Sequence, residues 1–308
     1  MKNLGAFSTG ISLLASFFDP PWTNPHPALS PGDRIWVTST AGFALRALGR
    51  LSDAAALIRV AARSSIQRDD WKNAAVYHIN LSQLQLALGN VGQATLTARE
   101  AVEFSDRSGD WFSRIVSCAT QAHACHQFGN LAEATSRFDE AGRLQSERQP
   151  ENPILYSVAG SNYCELLLDQ GRTDEVLHRA AQTLRVAERN AWLLDTGLDH
   201  LSLGRAHPLN STESINHLNQ AVDYLRRSGH LDHLPLALLA RGTDHDLEEA
   251  YRIASRSGMR LHLADYHLAM ARRLHSPDHF RKAEALIAET GYHRRDPELA
   301  ELRNTLNL

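Results

Sequence analysis

The stretch DWKNAAVYHINLSQLQLALGNVGQATLTAREAVEFSDRSGDWFSRIVSCATQAHACHQFGNLAEATSRFDEA, residues 70–141, decides the fold, because it repeats itself after 40 residues. Asp70-Trp71 recurs as Asp110-Trp111, and Gly89-Asn90 recurs as Gly129-Asn130. A recurrence at this spacing is typical of stacked units of supersecondary structure. The repeat therefore indicates a fold built from similar stacked units.

Small residues keep the same distance from each repeated glycine. Alanines follow by five and twelve residues: Ala54 and Ala61 after Gly49, Ala94 and Ala101 after Gly89, Ala134 and Ala141 after Gly129, with a weaker copy (Val176, Ala180) after Gly171. Another small residue precedes each glycine by seven: Gly42, Ser82, Ala122 and Cys164. The apolar positions have a helical period, and a glycine suits a turn that ends a helix. Each unit is therefore predicted to be a helical hairpin that must stack on its neighbours.

This pattern resembles the tetratricopeptide repeat (TPR). A small residue at minus seven, a turn glycine, an apolar residue at plus two and alanines at plus five and plus twelve carry the resemblance. It implies an all-α fold, an α-solenoid of stacked antiparallel helix hairpins that forms an elongated, curved superhelix. The usual repeat has about 34 residues, whereas the spacing here is 40–42 residues, which implies longer helices.

Five phrases are similar to the C-terminal TPR sensor arrays of bacterial STAND-type signalling NTPases. They are FFDPPW (17–22), AGFALRALGR (41–50), DWKNAA (70–75), LDHLSLGRAH (198–207) and ETGYHRRDPEL (289–299). The resemblance extends to the sensor part alone, because the chain has no G-x-x-x-x-G-K-[ST] phosphate-binding loop. It leaves open whether the chain acts alone or is a fragment of a larger STAND-like protein.

The repeat divides the chain into four parts. Residues 1–32 are predicted to form an N-terminal helix (4–18) and a proline-rich connector, with a cleavable signal peptide as the alternative for the apolar run. Residues 33–190 are predicted to form four regular hairpins, the fourth beginning at residue 153. Residues 191–295 are predicted to form about three shorter hairpins, trimmed because no turn glycine and second-helix start fit around Arg241–Asp246. Residues 296–308 are predicted to form a capping helix.

Composition gives limits on compartment and partners. The formal net charge of −3 offers no general attraction to nucleic acid or to an anionic membrane, so neither is an expected partner. The three cysteines, Cys118, Cys125 and Cys164, all fall in helical patterns, and an odd number of small buried thiols is typical of a reducing compartment. We expect a cytoplasmic protein.

Signals for chemistry are absent. No G-x-S-x-G, H-E-x-x-H or paired C-x-x-C occurs, so we expect no enzyme and no cofactor. His123 and His126 share a helix face while Cys125 points away, which favours helix-surface histidines beside a core cysteine over a metal site.

Two further patterns leave alternatives open. Eleven of the 16 histidines lie between His200 and His293, which admits a pH sensor or a metal cluster beside the simpler explanation of a GC-rich genome. Three arginine pairs are compatible with a basic strip that binds RNA or an acidic partner: Arg226-Arg227, Arg272-Arg273 and Arg294-Arg295. A solvated mixed face is preferred, because residues 201–308 carry 14 basic and 14 acidic residues.

The TPR resemblance implies that the first helix of each hairpin lines a concave groove, through side chains at fixed distances before the turn glycine. Those positions hold Ser39, Phe43, Arg46, Ile79, Gln83, Leu86, His123, His126, Gln127, Ser161, Glu165 and Asp169. Asn80 and Asn162, nine before their glycines, match asparagines that clamp a peptide backbone in related arrays; the alternative is that they only tie neighbouring helices together.

The sequence thus favours a non-enzymatic interaction or sensor module. Its expected partner is a protein or peptide bound in the groove, within bacterial signalling or defence, with an NTPase or protease effector as one possible partner. The alternative is a regulatory receptor for a peptide or small ligand that changes the pitch of the superhelix. A metal- or RNA-binding helical protein is the remote alternative.

Overall fold

A computed structural model describes residues 7–308, and apart from one isolated bridge between Phe18 and Pro25 all of its regular secondary structure is helical. The first eight helices are α1 (Phe7–Ala15), α2 (Pro31–Ala47), α3 (Leu51–Gln67), α4 (Trp71–Ala87), α5 (Val91–Ser108), α6 (Trp111–Gln127), α7 (Leu131–Arg148) and α8 (Ser157–Asp169). The others are α9 (Thr173–Arg189), α10 (Leu193–Ala206), α11 (Thr212–Ser228), α12 (Leu234–Arg241), α13 (Asp244–Ser257), α14 (Arg260–Leu274), α15 (Pro277–Thr290) and α16 (Asp296–Leu306), with a 3-10 turn at His293–Arg295.

The repeated residues start and end these helices. The Asp70 carboxylate accepts a hydrogen bond from the backbone N–H of Asn73, and Asp110 accepts one from Ser113, so each repeated aspartate caps a helix N-terminus. The turn glycines have left-handed backbones, which a side chain would strain: Gly49, Gly89, Gly129 and Gly171 have φ of 75°, 83°, 84° and 72°. The predicted turns are therefore confirmed.

The repeated alanines lie at helix contacts. Ala54, Ala61, Ala94, Ala101, Ala134 and Ala141 are all 0% exposed. A side chain on Gly42 would place its Cβ 2.8 Å from the Ile58 Cδ1 atom, and the Ser82 hydroxyl donates to the Ala94 carbonyl at 2.9 Å. Small residues here bring paired helices close together, as the spacing predicts.

Helices pack in sequence order. Each helix from α1 to α16 contacts its neighbours along the chain, and from α4 onward each even-numbered helix also contacts the next even-numbered helix. The even-numbered helices therefore form one layer and the odd-numbered helices the other, an arrangement consistent with a helical repeat protein.

Several boundaries differ from the sequence prediction. The first helix covers 7–15 rather than 4–18, and residues 4–6 lie outside the described part of the chain. Helix α8 begins at Ser157, four residues later than predicted. A turn glycine is not missing near Arg241: Gly242 has φ of 67° and ends α12, which is only eight residues long. The closing helix is confirmed as α16.

The last third of the chain packs against the first half. One hydrophobic cluster joins Leu86 and Ala94 to Leu261, Phe280 and Tyr292, which lie in or beside α14 and α15. The turns after α2, α4 and α6 complete this contact: a Cβ on Gly49 would lie 2.6 Å from Ser257 Oγ, one on Gly89 2.7 Å from Thr290 Cγ2, and one on Gly129 3.0 Å from His293 Cβ. The stack is therefore closed on itself rather than openly extended.

None of the helices described, in residues 7–308, combines the length and the apolar character that crossing a bilayer requires.

Replacing Gly160 with alanine is expected to destabilise the protein by about 1–3 kcal/mol, because the added Cβ would overpack the start of α8. That atom would lie 2.4 Å from the Leu155 carbonyl oxygen, and backbone cannot move aside cheaply. Gly142→Ala is the matched control, since nothing lies within 4 Å of its Cβ position, and it is expected to stabilise α7 by up to about 1 kcal/mol. Urea denaturation of both variants measures the difference; equal effects would contradict the prediction.

Candidate functional site

The structure divides the predicted groove residues into two groups. One group lies inside the closure: Arg46, Gln127, Glu165 and Asp169 contact the last third of the chain, and Gln83, His123 and His126 each contact one of those four side chains. Ile79, Asn80 and Asn162 line an open groove, to which Gln83 also contributes. Leu86 is buried, Ser161 lines the central cavity described below, and Phe43 is half-exposed against Phe7 and His230.

Arg294 is the centre of the first group. Its guanidinium donates to both carboxylate oxygens of Asp169, from Nε at 2.6 Å and from Nη2 at 3.0 Å, and its Nη1 lies 2.9 Å from Glu165 Oε1. Only 2% of its side chain is exposed. The 3-10 turn is thereby attached to α8 by a two-pronged ion pair, the strongest geometry for arginine and carboxylate. The preference for a solvated face is thus wrong for Arg294.

The two carboxylates are held ionised. Burial by itself would raise the pKa of Glu165, but the Arg294 and Arg205 guanidiniums and His123 outweigh it and hold that pKa well below its usual range. The pKa of Asp169 is likewise lowered, because hydrogen bonds from His126 and Arg294 outweigh burial. Both carboxylates are therefore charged at neutral pH and their charge is used within the chain.

His126 does not lie on the helix surface, so the helix-surface interpretation is wrong for this residue. Its side chain is fully buried, and its Nε2 lies 2.9 Å from Asp169 Oδ2. Burial is the main cause that lowers its pKa. In the tautomer with the proton on Nε2, the neutral ring donates to Asp169.

A second ion pair closes the other end of the interior. Arg46 Nε donates to Asp232 Oδ2 at 2.7 Å, and Arg46 Nη1 donates to Gln83 Oε1 at 2.7 Å. The backbone N–H of Leu231 donates to the Ala47 carbonyl at 2.8 Å beside this pair. The pKa of Asp232 stays below its usual value, because His233 and Arg46 outweigh burial. A central cavity of about 110 Å³ remains between the two ion pairs.

The open groove is a cavity of about 640 Å³, and Gln83, Val158 and Asn162 line both it and the central cavity. Side chains of α4, α6 and α8, with the start of α10, line it. The lining includes two amides, several apolar or aromatic side chains and one carboxylate: Asn80, Asn162, Phe112, Val116, Tyr156, Trp192 and Asp195. Asn80 donates to the Val76 carbonyl at 2.9 Å. Within the described residues, Asn162 makes no side-chain hydrogen bond to another part of the chain. The Asn80 amide oxygen also accepts a hydrogen bond from Arg46 Nη1 at 3.4 Å, so this amide is used within the chain, whereas the Asn162 amide is available to a ligand.

Sequence reasoning missed the aromatic end of this groove. Tyr156 and Trp192 stack there, and the Ser157 hydroxyl donates to Asp195 Oδ1 at 2.7 Å. A signal was present: Trp192 follows Trp111 by 81 residues, close to two periods of the repeat. Extending the Asp-Trp spacing beyond the break at Gln149–Pro153 would have located it.

Cys118, Cys125 and Cys164 are buried free thiols, and burial raises the pKa of each to about 12. Within residues 7–308 no group of three or more His, Cys, Asp or Glu is placed to hold a metal ion. His200 and His267, each 2.9 Å (Nδ1 to Nδ1) from a second histidine, have pKa values lowered to about 4 by burial.

No known protein-family model matches this chain, and no curated protein sequence matches it either.

Proposed function

We propose that the chain is a TPR-type protein of antiparallel helix hairpins that acts by binding, with no chemistry of its own. Its ligand is an extended protein or peptide segment in the open groove. The observation that carries the proposal is the groove itself: one cavity of about 640 Å³, lined by four successive even-numbered helices and bearing two amides, Asn80 and Asn162.

The chemistry of the lining suits a peptide. An asparagine amide both donates and accepts in one plane, as a peptide group does, so Asn162 matches the backbone of an extended segment. Apolar side chains such as Val116 and Phe112 line the same groove and suit the segment's side chains. The ion-paired interior is unsuitable, because Arg46 and Arg294 already occupy its carboxylates.

The proposal also covers the cellular compartment and the pathway in which the chain acts. The five STAND-like phrases support a cytoplasmic module in bacterial signalling or defence, which would act with an NTPase or protease effector. Neither nucleic acid nor membrane is part of the proposal, since the formal net charge is only −3.

A second function is favoured by one specific observation. Two ion pairs, Arg46–Asp232 and Arg294–Asp169, join segments that are 186 and 125 residues apart. A ligand that binds the closed and open forms differently would shift this closure, which would make the chain a regulatory receptor that changes superhelical pitch.

Replacing Asn162 with tryptophan is expected to abolish peptide binding, because the indole fills the groove. The change removes no hydrogen bond within the described chain, so the fold should remain. Purified protein is panned against a phage library of random 12-residue peptides, and enriched peptides are measured by fluorescence polarisation. The expected loss in affinity is at least about 100-fold, which is about 2.7 kcal/mol of binding free energy.

Asn216→Trp serves as the control, because Asn216 is exposed on α11, away from the groove. It should leave the peptide affinity unchanged. Failure to enrich any peptide, or equal binding to wild type and Asn162→Trp, would refute groove binding.

A further inference from the structure

Tyr156 and Trp192 separate two cavities. Their ring centroids are 6.3 Å apart with 25° between the ring planes. Both rings line the open groove on one side and a second cavity of about 250 Å³ on the other. Two stacked aromatic rings therefore present faces or edges to both spaces.

The charged side chains that line the two cavities are both acidic. Among the residues that line the open groove, Asp195 is the sole charged one, and none is lysine, arginine or histidine. Among those that line the second cavity, Glu151 is the sole charged one. Ser157 donates a hydrogen bond to Asp195, but its hydroxyl is neutral, and a carboxylate accepts several hydrogen bonds at once. Burial raises the pKa of Tyr156, and the nearby Asp195 and Glu151 raise it further, which agrees with a negative local potential.

The backbone beside both rings is strained. Ser157, next to Tyr156, has φ of 60°, and Ala191, next to Trp192, has φ of 52°. Non-glycine residues in this region cost free energy and cluster at ligand sites. At Ser157 the conformation accompanies the hydrogen bond to Asp195 at 2.7 Å, so the carboxylate is fixed beside the rings.

We propose that Tyr156, Trp192 and Asp195 form a subsite for a cation, the guanidinium or ammonium group of an arginine or lysine side chain in the bound segment. Guanidinium and ammonium groups bind over aromatic faces, and a carboxylate supplies the charged hydrogen bonds. The inference rests on the proposed peptide binding for the ligand's origin, whereas the cation preference depends only on the subsite.

The first test needs no peptide. N-acetyl-arginine methylamide is titrated into the full chain carrying ¹⁵N-labelled tryptophan, with the neutral isostere N-acetyl-citrulline methylamide in parallel. The Trp192 indole resonance, assigned with Trp192→Phe, should shift with an apparent Kd about tenfold lower for the arginine probe. Asp195→Asn should remove the difference, because the carboxylate charge is lost. The local structure should remain, since Ser157 can still donate to the amide oxygen. Asp174→Asn, an exposed change of equal charge on α9, should retain it.

The second test uses octapeptide pools whose central residue is arginine, lysine, norleucine or glutamate. The arginine and lysine pools should bind about tenfold more tightly than norleucine, and Asp195→Asn should remove that preference without weakening the norleucine pool. If no pool binds while the arginine probe still shifts Trp192, peptide binding fails and the cation subsite stands. Equal shifts by both capped probes, or a preference that survives the double change Asp195→Asn with Glu151→Gln, would overturn the subsite.

Discussion

Replacing Arg294 with methionine is expected to lower the free energy of unfolding by about 3–5 kcal/mol, because one partner of a buried ion pair is removed. Methionine keeps most of the stem volume, so the loss reports the guanidinium rather than a cavity. Glu165, whose side chain is 14% exposed, and Asp169, whose side chain is 30% exposed, would lose their main counter-ion. Urea denaturation followed by circular dichroism measures the change.

The effect of this substitution should be local as well as large. Arg294 attaches the 3-10 turn to α8, so hydrogen exchange should accelerate first in α14, α15 and α16. Small-angle scattering should show an increased radius of gyration before global unfolding, because repeat arrays unfold in parts. The stability of Arg294→Lys should lie between those of the wild type and Arg294→Met, since lysine keeps the charge but loses the two-pronged geometry.

Arg227→Met is the matched control. Its guanidinium is 56% exposed and pairs with Asp223 on the same helix, and such pairs contribute about 0.2–1 kcal/mol. If the two methionine variants lost equal stability and exchanged hydrogen at equal rates, Arg294 would not hold the closure.

The sequence predicted the regular helices well because their determinants are local. Helix α3 was predicted at 51–67 and is found there, since an apolar period, a preceding turn glycine and spaced alanines all act within one repeat. Helix α8 was predicted too early, because a proline-rich break looked like a helix start. The actual start depends on the contact between Gly160 and the Leu155 carbonyl, which no periodicity encodes.

The closure could not be predicted in the same way. Arg294 and Asp169 are 125 residues apart, and their meeting depends on the rotation accumulated over the seven intervening helices, α9 to α15. In the sequence Arg294 belongs to a segment with equal numbers of acidic and basic residues, which is typical of a solvated surface. If the rotation predicted for each repeat were slightly wrong, the Arg294 side chain would be placed in solvent instead.

The site was predicted in part. Positions taken from the TPR resemblance located Ile79, Asn80 and Asn162, which do share one groove. The same rule placed Glu165 and Asp169 in a partner-binding surface, whereas their charges contact Arg294 of the same chain. Family positions identify which side of a helix faces inward, but not whether a partner or the chain itself occupies that side.

Asp199 should make stability depend on pH near neutrality. It is 5% exposed, accepts a hydrogen bond from the Thr183 hydroxyl at 2.8 Å, and has a second oxygen without a partner among the described residues. Burial raises its pKa to about 8, and the nearby charge of Asp195 also raises it. The folded protein therefore holds this proton between about pH 4 and pH 8, whereas the unfolded chain releases it near pH 4.

The sign follows from proton linkage. The folded state binds more protons in this window, so the Asp199 contribution makes stability fall as pH rises, by about 1.4 kcal/mol per pH unit. Histidines whose pKa is lowered by burial, such as His126 and His233, act in the opposite direction, but only below about pH 6.5. Between pH 6.5 and pH 8, the Asp199 contribution to the pH dependence of stability is therefore not opposed by these histidines.

Asp199→Asn should remove this dependence, because asparagine has nearly the same shape and carries no titrating proton. The stability of the variant relative to wild type should rise by about 1.5–2 kcal/mol between pH 6.5 and pH 8, measured by urea denaturation at each pH. Asp174→Asn, an exposed change on α9, should give a constant difference over the same interval. The unpaired oxygen of Asp199 becomes an equally unpaired amide group, so hydrogen bonding cannot produce a pH-dependent gain. A constant difference for Asp199→Asn as well would mean that Asp199 is ionised in the folded protein, with a counter-charge or water supplied from outside the chain.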